Sequence, residues 1–305
     1  MRDLIPTDQK YCIIQTAING GGCCTNPPAN QQPRPEGTGY VGSDRNGLYA
    51  GLRSIQTHTK HSVIQNALKG GVCFATPPAN KNWKRIYFDL PGMGNTVLKK
   101  EISTTDDIFN IIEEFINKII TEEIFYIAAE SYGAYLARMF IKKYPQRIGG
   151  IMMLCPVVIP HVKNRNLPPM EIVSRDNEFY KTLHVKEQET FDNMFTVQNS
   201  NNWERYIKEV RSGVKKCDIT LLKKIKKYGY GFKEDPDTLA APYKNPSLII
   251  AGRQDLSVGY KDALSLIDKY PNSDFVILDG AGHMLQIEQK EIFDKLVLKW
   301  LSRLN

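Results

Sequence analysis

Ile124-Phe125-Tyr126-Ile127-Ala128-Ala129-Glu130-Ser131-Tyr132-Gly133-Ala134 is the stretch on which the reading of this chain turns. Ile124 to Ala129 is an unbroken apolar run of strand length, and Tyr135 to Tyr144 carries a helical pattern, so Ser131 falls at the turn between a strand and a helix. A serine held there has a strained backbone, and Cβ bulk around it would clash. Ala129, Gly133 and Ala134 keep the surroundings small. This is the pattern of a nucleophile elbow. The pentapeptide A-x-S-x-G also arises by chance as an ordinary turn, so the residues elsewhere in the chain decide its meaning.

Two further strand ends answer it. The run from Ser247 to Gly252 is a buried-strand pattern ending at Arg253-Gln254-Asp255, and Asp274 to Leu278 ends in Gly280-Ala281-Gly282-His283. Active sites of open α/β sheets lie at the carboxyl ends of strands, and Ser, Asp, His is the chain order in which one such fold assembles a catalytic triad. A serine hydroxyl is a poor nucleophile at neutral pH. His283 is the candidate to take its proton, and Asp255 the candidate to hold the imidazole in the required tautomer. Asp255 can also simply cap the following helix, His283 can be a core or capping histidine, and Asp279, within the turn beside the histidine, is the alternative acid. His58, His61, His161 and His184 lack such a context.

From about Trp83 to Leu304 the chain resembles α/β-hydrolases that carry a cap. The resemblance rests on Asp89-Leu90-Pro91-Gly92-Met93-Gly94, the elbow at Ser131, Gly252-Arg253-Gln254-Asp255 and Gly280-Ala281-Gly282-His283. It implies an α/β-hydrolase fold, with a mostly parallel sheet flanked by helices and an inserted helical cap. It is similar to carbon–carbon bond hydrolases of aromatic degradation, esterases and proline iminopeptidases, and it does not imply a substrate among them. The expected chemistry is cleavage of a small ester or vinylogous diketone through an acyl-enzyme, with no cofactor. Serine rather than aspartate at position 131 argues against haloalkane dehalogenases and epoxide hydrolases.

An oxyanion hole needs two N–H donors. The first is the backbone N–H of Tyr132. In the family the second comes from a His-Gly loop, expected about 20 to 30 residues before Asp89. The chain has no His-Gly dipeptide; His61-Ser62 and Gly70-Gly71 come nearest. The alternative function is therefore a non-catalytic hydrolase-fold binding protein with an impaired oxyanion hole.

A chain of 305 residues, 42% hydrophobic, can bury a large core. Its net charge of +7 falls short of the clustered excess of a nucleic-acid binder. Met1 to Pro6 does not begin a signal peptide, and no segment approaches the roughly 18 apolar residues of a membrane span, so the expected location is cytoplasmic. Cysteines 12, 23, 24, 73, 155 and 217 show no metal-ligand spacing and are expected as free thiols. The expected partner is a small-molecule substrate, not nucleic acid or a membrane; a homo-oligomer is left open.

The chain divides into residues 1–82, an atypical segment with incomplete early strands; 83–158 and 244–305, the α/β core; and 159–243, the helical cap. In the first segment Gln15 to Asn30 reappears, altered, as Gln65 to Asn80. Two copies are too few for a solenoid, and a duplicated gene segment accounts for them. Within the core, Ser103 and Asp106 suggest a capping box, Ile108 to Ile120 a helix, and Gly150 to Val158 a strand. In the cap, Asn193 to Val210 and Asp218 to Tyr228 read as helices, the second with a solvated lysine face. Phe191, Met194, Phe195 and Trp203 either line the pocket or form the cap's own core. A closing helix presents Ile292, Phe293, Leu296, Trp300, Leu301 and Leu304 on one side.

Overall fold

Short apolar runs ended by turn residues build the centre of the molecule. The structure, a computed structural model, describes residues 10–17, 83–94, 96, 101–120 and 123–304. Its main sheet consists of β1 (Lys10–Ala17), β2 (Trp83–Tyr87), β3 (Phe125–Ser131), β4 (Ile148–Leu154), β7 (Ser247–Gly252) and β8 (Ser273–Leu278), in the order β2-β1-β3-β4-β7-β8. Every adjacent pair is parallel. Strands β3 and β7 are buried along their whole length, which is why they read as continuous apolar runs rather than alternating ones. At the edge, β8 is half-buried.

Residues 10–17 supply one strand of the segment expected to be partly disordered or to have incomplete early strands, and the rest of residues 1–82 lies outside the described residues. Residues 10–17 form a central strand that pairs with β2 on one side and β3 on the other. The strand order reverses between β1 and β3, and open α/β sheets form their crevice at such a switch. Apart from Gln15 to Ala17, both copies of the repeat lie outside the described residues.

Helices cover the sheet. In α1 (Thr105–Ile119), Ile108, Phe109, Ile112, Phe115 and Ile116 are buried; side chains of this size contribute about 1.5–3 kcal/mol each when removed from water. The capping box is one residue later than the sequence suggests. Thr104 accepts from Asp107 N, and the Asp107 carboxylate accepts from Ser103 N and Thr104 N at 3.0 Å each. Helix α2 (Tyr132–Lys143) follows the elbow and carries Arg138, which is fully buried. Its Nε lies 2.6 Å from Asp237 Oδ1, and other guanidinium nitrogens donate to Ala134 O and Val157 O. A buried charge persists because its donors are satisfied.

The segment between β4 and β7 contains α3 (Asn177–Thr182) and α4 (Val185–Met194), then α5 (Ser200–Tyr206) and α6 (Ile219–Tyr228). The helix expected over 193–210 is interrupted. Val197–Gln198 (β6) pairs with Ser174–Arg175 (β5), and Asn199 then starts α5 by accepting from Asn202 N. A π-turn over Ile207–Arg211 continues it. Phe191, Met194, Phe195, Trp203, Tyr206 and Val210 pack into a second apolar cluster with Met284 and Ile287, so these residues form the insertion's own core. In α6, Leu221 and Ile225 are buried and the lysines face outward or half outward.

The chain ends with α7 (Tyr260–Leu264) before β8, then α8 (Leu285–Glu288) and α9 (Lys290–Ser302) after it. In α9 the buried stripe is Phe293, Val297, Trp300 and Leu301, whereas Ile292 is exposed. Trp300 Nε1 donates to Pro246 O and anchors the helix to the start of β7. No helix among the described residues is long and apolar enough to cross a membrane.

Candidate active site

Ser131 is the last residue of β3, with φ 54° and ψ −118°, and α2 begins at the next residue. A non-glycine residue at positive φ is strained, and here the turn leaves no other path from strand to helix. Ser131 is fully buried. Its Oγ lies 3.1 Å from His283 Nε2, and His283 Nδ1 lies 2.8 Å from Asp255 Oδ2. The other Asp255 oxygen accepts from Ser257 N and Val258 N at 2.7 and 3.1 Å. A carboxylate beside Nδ1 favours the proton on that nitrogen and leaves the Nε2 lone pair for the serine hydroxyl.

The electrostatics follow from burial and pairing. For Asp255, burial pushes the carboxyl up, but His283 and the Ser257 and Val258 N–H groups outweigh it and hold it below its usual range. For His283, burial pulls the imidazole down, and Asp255 then raises it above its ordinary value, with Glu130 adding to the rise. Asp279 sits at the surface, where its carboxylate accepts from Gln254 Nε2 at 2.8 Å and lies 3.7 Å from Arg253. Asp255, not Asp279, is paired with the ring.

Backbone geometry aims the histidine. Gly252 ends β7 beneath the turn that carries His283, and a Cβ there would lie 2.4 Å from Ala281 O and 2.5 Å from Gly282 O. Gln254 holds the same turn through its N–H to Ala281 O and its side-chain oxygen from Ala281 N. Beyond the histidine, Glu288 accepts from Gly282 N with one carboxylate oxygen and from Thr196 N and Val197 N with the other. Burial raises its pKa to about 7 against the pull of those three donors.

Tyr132 opens α2, so its N–H is one of the first-turn donors that have no acceptor within the helix. Its phenol is engaged elsewhere, with Oη 2.8 Å from Thr105 Oγ1. His61, Ser62, Gly70 and Gly71, the sequence candidates for a second donor, lie outside the described residues. The strand beside the elbow is instead β1, whose last residue, Ala17, is in register with Ser131. The residues that follow in sequence, Ile18-Asn19-Gly20-Gly21-Gly22, lie outside the described residues.

Glu130, Cys155, Gln286 and Glu288 also surround the pair and were not singled out from sequence. For Glu130 the signal was present, an acid inside an apolar strand; the other three acquire meaning only from their neighbours. Cys155 Sγ, an Asp255 oxygen and a His283 ring nitrogen lie within 4.8 Å of one another, the kind of spacing that a cation can bridge. Here Asp255 and His283 spend those atoms on each other, and burial together with the nearby carboxylates pushes the Cys155 thiol up, away from the thiolate a metal would need.

A parallel sheet in this order, with serine, aspartate and histidine at three strand ends, is the architecture of the α/β hydrolases. Residues 74–290 match the family described as serine aminopeptidase, S33 (Hydrolase_4), and the chain belongs to that family. It is 22% identical over 230 residues to the 2-hydroxy-6-oxononadienedioate/2-hydroxy-6-oxononatrienedioate hydrolase of Escherichia coli (strain K12 / DH10B), covering 72% of this chain and 77% of that protein. Among solved structures, an alpha/beta superfamily hydrolase from Oenococcus oeni PSU-1 superimposes with a TM-score of 0.62 at 29% identity, over 73% of this chain and 83% of the other. A thermophilic esterase from Thermogutta terrifontis shares the fold, with a TM-score of 0.52 at 18% identity over 73% and 80% of the two chains.

Proposed function

We propose that the protein is a serine hydrolase of small esters or vinylogous diketones, with Ser131 as nucleophile, His283 as general base and acid, and Asp255 as the residue that orients the imidazole. The reading is carried by one observation: a positive-φ serine at a strand-to-helix junction, linked through 3.1 and 2.8 Å contacts to a buried histidine and then to a buried aspartate. Ser131 Oγ attacks the substrate carbonyl while His283 Nε2 takes its proton. The oxyanion forms at the backbone N–H of Tyr132, the residue after the nucleophile. His283 returns the proton to the leaving group, and water activated by the same imidazole releases the acyl-enzyme as a carboxylic acid.

The diketone arm draws on the relative named a 2-hydroxy-6-oxononadienedioate/2-hydroxy-6-oxononatrienedioate hydrolase. There His283 would first move a proton that converts the dienol to its keto form, and the bond cleaved would be carbon–carbon. The helical insertion acts as a cap in this reading, because Ser131 is fully buried and the second apolar cluster joins the insertion to Met284, beside His283.

Labelling with a fluorophosphonate probe tests the proposal. Ser131 in folded, monodisperse protein is expected to react, and Ser131→Ala to abolish both labelling and esterase turnover. Folded protein that neither labels at Ser131 nor turns over an ester panel would favour the non-catalytic binding reading.

A further inference from the structure

Glu130 immediately precedes Ser131, and Gln286 lies three residues beyond His283. The two side chains meet behind the triad, where Gln286 Nε2 donates to Glu130 Oε1 at 3.2 Å. Both residues are almost completely buried. Each planar group has a second oxygen, Glu130 Oε2 and Gln286 Oε1, and neither finds a hydrogen-bond partner.

These two orphans are of one kind. An ionised Glu130 offers only acceptors, so it cannot satisfy the amide oxygen of Gln286, and its own second oxygen stays bare. Leaving a charged, buried group partly unpaired is costly. One proton on Glu130 Oε2 changes both counts. The O–H then donates to Gln286 Oε1 while Gln286 Nε2 donates to Glu130 Oε1, the cyclic pair of a carboxylic acid with a primary amide. The terminal torsions of Glu and Gln are soft, so the two planes can align without a rotamer change.

We propose that Glu130 is held as a neutral carboxylic acid paired with Gln286, and that the pair is a positioning device that ties the residue before Ser131 to the helix after His283 without placing a second anion beside the imidazole. The groups acting on Glu130 fit this. Asp255, on the loop after β7, opposes another negative charge, and His283 favours one only when protonated. Cys155, at the end of β4, is influenced by Glu130 and has its own thiol pushed up, so it supplies no countercharge. Burial is the largest influence and raises the Glu130 carboxyl to about 7. When it ionises, it adds negative charge near His283 and favours the imidazolium, the form that cannot act as base.

The protonation state itself does not depend on the hydrolase reading; only the rate measurement does. Infrared difference spectra of wild type and Glu130→Gln at about pH 5.5, where an ordinary glutamate is ionised, are expected to show the carbonyl stretch of a protonated carboxylic acid that is lost in the variant. Thermal unfolding against pH gives a second readout. A carboxyl raised in the folded state stabilises fully below its unfolded value, about 4.3, and loses that contribution as pH rises through about 7. An amide at position 130 keeps both hydrogen bonds and cannot ionise, so the Tm of Glu130→Gln minus that of wild type is expected to grow between those pH values and level off above them. With a substrate in hand, Glu130→Leu is expected to lower kcat about tenfold or more and Glu130→Gln to restore most of it. The ascending limb of kcat/KM in Glu130→Gln should lie at lower pH than in wild type. Absence of the acid band at about pH 5.5, or a Tm difference that shrinks as pH rises, would overturn the proposal whether or not the protein proves to be a hydrolase.

Discussion

Gly282 donates its backbone N–H to Glu288 Oε2 at 2.6 Å, while the other oxygen of the same carboxylate accepts from Thr196 and Val197 at 2.7 and 2.8 Å. One half-buried carboxylate thus joins the residue before His283 to the helical insertion between β4 and β7. All three partners are donors. Only a group with acceptors on both arms can serve them.

Glu288→Gln is therefore expected to be destabilising although it is almost isosteric, and Glu288→Ala, which leaves all three donors bare, more so. The Gln NH2 must face at least one backbone N–H, and each buried donor left unpaired costs about 1–3 kcal/mol. Chemical denaturation of the two variants checks this: Glu288→Gln should lose about 1–3 kcal/mol and Glu288→Ala more, and activity should fall with them as the histidine turn loosens. A Gln variant as stable as wild type would mean that Glu288 is not the junction between these segments.

Ser131→Gly separates strain from chemistry. At φ 54° and ψ −118° a serine is strained and a glycine is not. Ser131→Gly is expected to be about 1 kcal/mol more stable than Ser131→Ala, with both unreactive toward a fluorophosphonate. Equal unfolding midpoints would argue that the elbow backbone relaxes in solution.

The pH dependence of turnover should report His283. Only the neutral imidazole can take the serine proton, so kcat/KM is expected to rise with pH through a limb above the ordinary histidine value, because Asp255, joined by Glu130 once that group ionises, outweighs burial in raising it. Replacing Asp255 with Asn removes the largest of those raising influences. The limb should move to lower pH, and kcat should drop by about 10⁴ as the tautomer is lost. A limb that stays in place would show that a different group controls the rate.

Gly252→Ala should strike the same site without touching a reactive atom. Its Cβ would meet Ala281 O and Gly282 O at 2.4 and 2.5 Å, both backbone atoms that cannot swing aside. The turn carrying His283 must shift, at a cost of about 1–3 kcal/mol, and kcat should fall more than KM changes. Steady-state kinetics beside a melting curve would separate the two effects.

Much of the sheet was legible because buried parallel strands are written as continuous apolar runs; β7 begins and ends where the sequence places it, at Ser247 and Gly252. The insertion was harder. Asn193 to Val210 reads as one helix by composition, yet Asn199 supplies a cap that restarts the helix after a short strand, and local propensity could not show which of the two would prevail. Residues 10–17 escaped for another reason: a strand far along the chain from its neighbour leaves no local sign that it belongs between β2 and β3.

By itself the sequence determined the serine and the histidine that converge, Ser131 and His283, because each stands at the end of a recognisable strand and chain order constrains how strands can deliver them. It also determined the small residues that let the elbow form. Only the tertiary structure decided which acid faces the imidazole, since Asp255 and Asp279 are equally polar in sequence and differ in burial by where their turns face. The same is true of the strand beside the elbow, and of Glu130, Gln286 and Glu288. Hydrogen bonds between residues distant in the chain are set by how elements pack, and no local pattern of side chains encodes them.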